Sequence, residues 1–220
     1  MTKIALYGKG GIGKSTVACN ISAVLAENGE KVFQMGCSPK IDSTAFLNGG
    51  QVLQPDILTK IKTNPSKQNV QSCIQEGFGG ILIGESGGPE PATGCAGRGV
   101  AAALDLLSRY NIIEELGASF AVFDVIGDVV CGGFAQPMQT GFAKIVYIVT
   151  SGELMALYSA NNICVAIKEI KARKDVDLVV GGLVNNMRGV ANEREIVEEF
   201  ANRIGVQVMA HIPRSHVVQE

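Results

Sequence analysis

A chain of 220 residues, 46% hydrophobic and only 18% charged, can bury a full α/β core covered on both sheet faces without disulfides. A net charge of −2 and a pI near 5.8 argue against a nucleic-acid-binding surface. No apolar run reaches the length of a membrane span and no signal peptide precedes the first strand, so the expected location is the cytoplasm, with no membrane partner.

The chain opens on a short apolar strand, Lys3 to Tyr7, followed by Gly8-Lys9-Gly10-Gly11-Ile12-Gly13-Lys14-Ser15-Thr16 and a helix predicted over Ser15 to Glu27. This fits the phosphate-loop pattern G-x-x-x-x-G-K-[ST], in the strand–loop–helix context that the pattern requires. Its glycines let backbone amides turn inward on a phosphate, and the helix N-terminus adds a favourable dipole. Lys14 is assigned to phosphate and Ser15 to magnesium. Lys9 is a second cation with little to do inside one subunit, but it could reach a nucleotide held by a facing copy.

A second strand, Lys31 to Cys37, leads into Ser38-Pro39-Lys40 and on to Thr44. There Lys40 lines the nucleotide and Asp42 can hold magnesium through water, since that ion keeps several waters and few carboxylates. Residues 48–69 are polar, with helical pieces weakly signalled. Ile81 to Ile83 reads as a strand, Glu85 to Gly99 as a long glycine-rich loop, and Val100 to Tyr110 as a helix. Phe120 to Val125 is a strand that runs into Asp124-Val125-Ile126-Gly127. An Asp-x-x-Gly after a buried strand is where nucleotide switches set a carboxylate near magnesium and a glycine near the γ-phosphate; the alternative is a plain turn. Asp128 is the candidate for orienting the attacking water, or else a solvated loop acid. Lys144 to Thr150, Leu154 to Ala172, Leu178 to Asn185, Asn192 to Ile204 and Gln207 to Ile212 then alternate strand and helix. The expected fold is a single α/β P-loop NTPase domain over 1–220: a mostly parallel sheet, helices on both faces, ligands at the carboxyl ends of the strands.

Six cysteines without a C-x-x-C pair suggest metal or redox chemistry rather than structural disulfides or a mononuclear zinc site. Cys19, Cys37, Cys73 and Cys164 sit in apolar or strand-end settings and read as packing thiols. Cys95 and Cys131 lie in small-residue loops, where backbone amides can approach a ligand. Two thiols are half of what a [4Fe–4S] cluster needs. A two-fold dimer would supply the other half and would also turn Lys9 toward the partner's nucleotide.

Three stretches carry a resemblance to a known family: Tyr7 to Thr16, Glu85-Ser86-Gly87-Gly88-Pro89-Glu90-Pro91 with Gly94-Cys95-Ala96-Gly97-Arg98-Gly99, and Gly127-Asp128-Val129-Val130-Cys131-Gly132-Gly133-Phe134-Ala135. Across nearly its whole length the chain resembles the nitrogenase iron proteins and their relatives. That resemblance implies a homodimer bridged by one [4Fe–4S] cluster on Cys95 and Cys131 of each subunit, and two sites for ATP with Mg2+. It implies ferredoxin or flavodoxin as electron donor and a larger nitrogenase-like protein as acceptor. Lys9 and Lys14 would serve ATP hydrolysis and Asp124 would link nucleotide to cluster. Asn185 would contact the base, with Pro213 beside the nucleotide. Arg98 would dock the partner, unless it is an ordinary surface arginine at a helix start.

Two departures remove carboxylates near the nucleotide. The family usually reads Gly-Cys-Asp-Pro-Lys where this chain has Ser38, and Pro-Arg-Asp where Pro213-Arg214 is followed by Ser215. A serine can hydrogen-bond water or phosphate but cannot act as a base or balance magnesium charge. The family also continues past the position of Glu220 with a segment that embraces the other subunit. Reductase components that serve a nickel-tetrapyrrole, chlorophyllide or methylthio-alkane reductase stay open as alternatives. So does a partitioning or scaffold ATPase that shares only the two-lysine loop.

Overall fold

Alternating apolar residues that point to opposite faces of one sheet organise the molecule. In β1 (Thr2–Tyr7), Ala5 and Tyr7 join one buried cluster while Ile4 and Leu6 join another. The computed structural model describes residues 1–62, 64–89, 94–127, 132, 135–215, 217 and 218. After β1 come α1 (Lys14–Glu27), β2 (Val32–Cys37), α2 (Ile57–Ile61), α3 (Lys67–Gln71), β3 (Gln75–Glu76), β4 (Leu82–Glu85), α4 (Ala96–Arg109) and α5 (Ile112–Glu115). The second half adds β5 (Phe120–Val125), α6 (Gln136–Gln139), β6 (Ile145–Thr150), α7 (Leu154–Arg173), β7 (Val179–Asn186), α8 (Glu193–Ile204) and β8 (Val208–Ile212).

The eight strands form one sheet in the order β3-β4-β2-β5-β1-β6-β7-β8, parallel except for the two-residue edge strand β3. Helices cover both faces of the sheet. Val17, Ala18 and Cys19 of α1 pack with Leu6, Val32 and Val122 on one face. On the other, α4, α7 and α8 send Leu104, Leu107, Ile163, Ile167 and Val197 onto Phe33, Met35, Phe123 and Ile148. The β1 strand is central, flanked by β5 and β6, so its loop emerges at the middle of the carboxyl edge.

Two predicted boundaries shift. Glu85 ends a strand rather than opening a loop, because β4 pairs with β2 as far as Gly36↔Glu85. Helix α4 starts at Ala96, four residues before the predicted Val100, since Gly97 and Gly99 are buried in its first turn and close packing there outweighs their poor helix propensity. Among the described residues, no helix is long and apolar enough to cross a membrane.

Candidate nucleotide and cluster site

The loop between β1 and α1 wraps one end of a cavity of about 500 Å³, which is lined further by Ser38, Lys40, Asp42, Asp124 and Ile126. Gly10, Gly11, Gly13, Lys14, Ser15 and Thr16 all face it, so the predicted phosphate loop and both strand-end loops converge. Gly8 is buried beneath and Ile12 packs into the core, while Lys9 is exposed on the rim. Lys14 is nearly buried and its Nζ donates to the Lys9 carbonyl at 3.4 Å. Burial pulls its pKa down from the ordinary lysine value, and the charges of Asp124 and Asp42 oppose that shift.

Asp124 is the pivot of the site. Its Oδ2 accepts from Ser15 Oγ at 2.5 Å and from Ser43 Oγ at 2.6 Å. Oδ1 is buried without a hydrogen-bond partner among the described residues. Burial raises its pKa, against the pull of Lys14 and the two hydroxyls. An orphaned carboxylate oxygen is expensive, and a hydrated divalent cation near Ser15 would satisfy it. The residues therefore fit Mg2+ with a polyphosphate. Three residues on, Gly127 lies so close to the phosphate loop that a Cβ would fall 2.0 Å from the Gly8 carbonyl oxygen.

Ser43 and Thr44 were not singled out in the sequence, yet they are the most firmly held part of the loop after β2. Besides Asp124, the Cys19 thiol donates to the Ser43 carbonyl at 3.2 Å. The Thr44 amide and hydroxyl both donate to Glu85 Oε1 at 2.7 Å. Ser38, where a family carboxylate is usual, is nearly buried and accepts from the Lys40 amide at 3.2 Å. It acts as a turn-forming serine on the cavity wall.

A second cavity of about 650 Å³ adjoins, lined by α1 residues including Val17 and Ile21, by Asn186 and Arg188, and by Pro213 to Ser215. Pro213 lines this second cavity. Asn185 does not reach the cavity. Its side chain is fully buried and faces His211 Nδ1 at 3.0 Å, because strand residues alternate sides. Asn186 takes the outward position, donating from Nδ2 to the Ile12 carbonyl at 2.7 Å. Arg188 donates to the Gly11 carbonyl. Sequence reading missed both. It also missed Glu193, a buried carboxylate that accepts backbone amides of Gly152, Arg188, Gly189 and Val190. Those bonds hold its pKa below the ordinary value although burial pushes the other way.

Cys95 is exposed at the N-cap of α4, and Arg98 is exposed one turn on. Cys19, Cys37, Cys73 and Cys164 are buried, and burial raises all four thiol pKa values, as expected of packing residues. Asp128 and Cys131 lie outside the described residues. Among the described residues Cys95 is the one exposed thiol, and a thiol is the kind of donor that an iron–sulfur cluster takes.

A family described as "4Fe-4S iron sulfur cluster binding proteins, NifH/frxC family" matches residues 2–220. The chain belongs to this family. "Nitrogenase iron protein 2" of Methanothermobacter thermautotrophicus is 48% identical over 220 residues, covering 100% of this chain and 79% of that protein. "Nitrogenase iron protein" of Methanospirillum hungatei is 47% identical over 220 residues, covering 100% and 77%. Among solved structures, the septum site-determining protein MinD of Pyrococcus horikoshii, complexed with Mg-ADP, superposes with a TM-score of 0.72. It covers 100% of this chain and 84% of its own at 22% identity, a likeness of fold alone.

Proposed function

We propose that this protein is an ATP-dependent electron-transfer reductase. Two copies would share one [4Fe–4S] cluster through Cys95 and Cys131 and pass low-potential electrons to a larger nitrogenase-like partner. The observation that carries the reading is Asp124: one carboxylate oxygen holds the phosphate-loop Ser15 and the Ser43 loop together, on the strand whose continuation bears Cys131. A magnesium–nucleotide complex that draws on Ser15 must loosen or remake that bond, and the change passes along the backbone from Asp124 through Gly127, which is pressed against Gly8. When bound, the cluster supplies a one-electron carrier. The chain's own residues bind phosphate (Lys14 and the loop amides), place magnesium (Ser15, with Asp42 and Asp124 nearby) and orient the thiol of Cys95 at a helix N-terminus. Lys9, exposed on the rim, would face the partner subunit's nucleotide, Asp128 would orient water and Arg98 would meet the acceptor.

Protein purified without oxygen should be brown and hold about four irons per dimer. Cys95→Ala and Cys131→Ala should each abolish the colour. A colourless wild type after cluster reconstitution would refute the reading in favour of a cluster-free ATPase. Ser38 gives one reason to keep a non-nitrogenase acceptor in view, since a carboxylate usual in the family is replaced on the cavity wall. Pull-down of the acceptor under anaerobic conditions separates these reductase systems.

A further inference from the structure

Glu85 is a buried acid that the reading above does not use. It closes β4, is fully buried, and accepts both the amide and the hydroxyl of Thr44 on Oε1. Its Oε2 is buried without a hydrogen-bond partner among the described residues. The charged groups that bear on it are Asp124 and Asp42, both of its own sign, and the thiols of Cys19 and Cys37 lie within its field. A carboxyl so placed costs stability, and an apolar side chain would pack there at lower cost. The chain nevertheless makes room for it, since a Cβ on Gly36 would fall 1.9 Å from Oε2.

What Glu85 joins gives the placement a use. Ser43 and Thr44 are consecutive, and two buried acids on two strands grip them: Asp124 of β5 holds Ser43, and Glu85 of β4 holds Thr44. The residues after Asp124 run toward Cys131, and those after Glu85 run toward Cys95. The second of these routes is packed along its described length. Leu58 donates its amide to the Ser86 carbonyl at 3.0 Å. A Cβ on Gly88 would lie 2.3 Å from Pro39 Cβ, and one on Gly99 would lie 3.5 Å from Gly88 Cα. Gly88 therefore touches the loop beside the phosphates on one side and the first turns of α4, whose N-cap is Cys95, on the other.

We infer that Glu85 is a positioning residue that fastens the nucleotide-side loop at Thr44 to β4 and hence to α4, giving bound nucleotide a second mechanical route to Cys95. The inference rests on the reductase reading only for the purpose of that route. The route itself is a property of the polypeptide. Movement of the Ser43–Thr44 pair pulls on both strand ends together, so the two cysteine-bearing segments respond in concert rather than one after the other.

Hydrogen–deuterium exchange of the full chain, as purified with its iron, tests this with magnesium and a non-hydrolysable ATP analogue. In the wild type, nucleotide should change exchange in residues 40–48, 84–89 and 95–104. In Glu85→Leu, which has no acceptor, and in Thr44→Val, which loses the hydroxyl bond to Oε1 and keeps the amide bond, residues 40–48 should still respond and nucleotide affinity should stay within about threefold, a change of ~0.7 kcal/mol or less. The response over 95–104 should fall at least fivefold in Glu85→Leu and at least twofold in Thr44→Val, and Thr44→Ser, which keeps the hydroxyl, should restore it. A full response over 95–104 in both Glu85→Leu and Thr44→Val would overturn the inference. Thr44→Val adds no charge and nearly preserves shape, so it decides the matter if Glu85→Leu does not fold. Iron content settles the reductase reading by itself, and the exchange comparison reads out whether or not iron is bound.

Discussion

Replacing Glu85 by glutamine should reverse part of the pH dependence of folding. Burial, reinforced by Asp124 and Asp42, lifts the Glu85 carboxyl from its ordinary 4.5 to about 7, although both Thr44 bonds favour the ionised form. Below pH 4.5 the group is neutral in the folded and unfolded chain alike, and no penalty arises. As pH rises from there, the unfolded chain releases the proton first while the folded chain keeps it until about 7. Stability is therefore lost across that window and the loss is complete above it. At ~1.4 kcal/mol per pH unit the full penalty is about 3 kcal/mol, or roughly 6–12 °C in Tm for a domain of this size. Glutamine cannot ionise, so the advantage of Glu85→Gln over wild type should grow by about that amount between pH 4.5 and 8. The chain has no tryptophan, so anaerobic urea unfolding followed by circular dichroism is the suitable assay. Parallel stability–pH curves for the two proteins would refute the claim that Glu85 carries an ionisation penalty.

Other expected outcomes follow from single contacts. Gly127→Ala drives a Cβ to 2.0 Å from the Gly8 carbonyl oxygen, which only backbone movement can relieve. It should weaken binding of a fluorescent ATP analogue at least tenfold, ~1.4 kcal/mol, with little change in helix content by circular dichroism. Asn186→Ala removes the bond to the Ile12 carbonyl and should cost about 1 kcal/mol of nucleotide affinity. Asn185→Ala should leave that affinity unchanged in the same titration, since its side chain turns to His211. Ser38→Asp restores a carboxylate to the cavity wall and should raise steady-state ATP hydrolysis, by up to ~10²-fold if a general base is what is missing; an unchanged rate removes Ser38 as the limit.

The strands and the phosphate loop were legible because their signals are local. The apolar runs at 3–7, 120–125 and 144–150 and the G-x-x-x-x-G-K-S spacing need no tertiary information, and they placed the sheet and the cavity. The α4 start was not legible: Gly97 and Gly99 argue against a helix by propensity, and only their burial in its first turn makes small residues an advantage. Asn185, which the resemblance sets at the base, is buried against His211 while Asn186 lines the cavity; one residue of register in a strand exchanges the two faces, and nothing in Val-Asn-Asn-Met marks which asparagine turns outward. Ser43, Glu85 and Glu193 escaped notice because their roles consist of bonds to residues far off in sequence: Asp124, Thr44 and Gly152. By contrast, Cys95 stood out among the cysteines because its small, polar neighbours set it apart from four apolar settings. Among the described cysteines the structure separates them the same way, with Cys95 exposed and the other four buried.

The position of β1 bears on how the protein is made. The strand that bears the phosphate loop is first in the chain, yet its two neighbours are Phe120–Asp124 and Ile145–Ile148. During synthesis it has no lasting partner until β5 has left the ribosome, and the Gly8 glycine cannot settle under the Val149 carbonyl until β6 follows. Non-local parallel pairing of this kind is slow and leaves apolar edges open in the interim. Nucleotide can therefore act as a folding ligand only late, after the residues through β6 have emerged. A nascent chain stalled before β6 should neither retain ATP nor resist protease, whereas one stalled past β8 should do both.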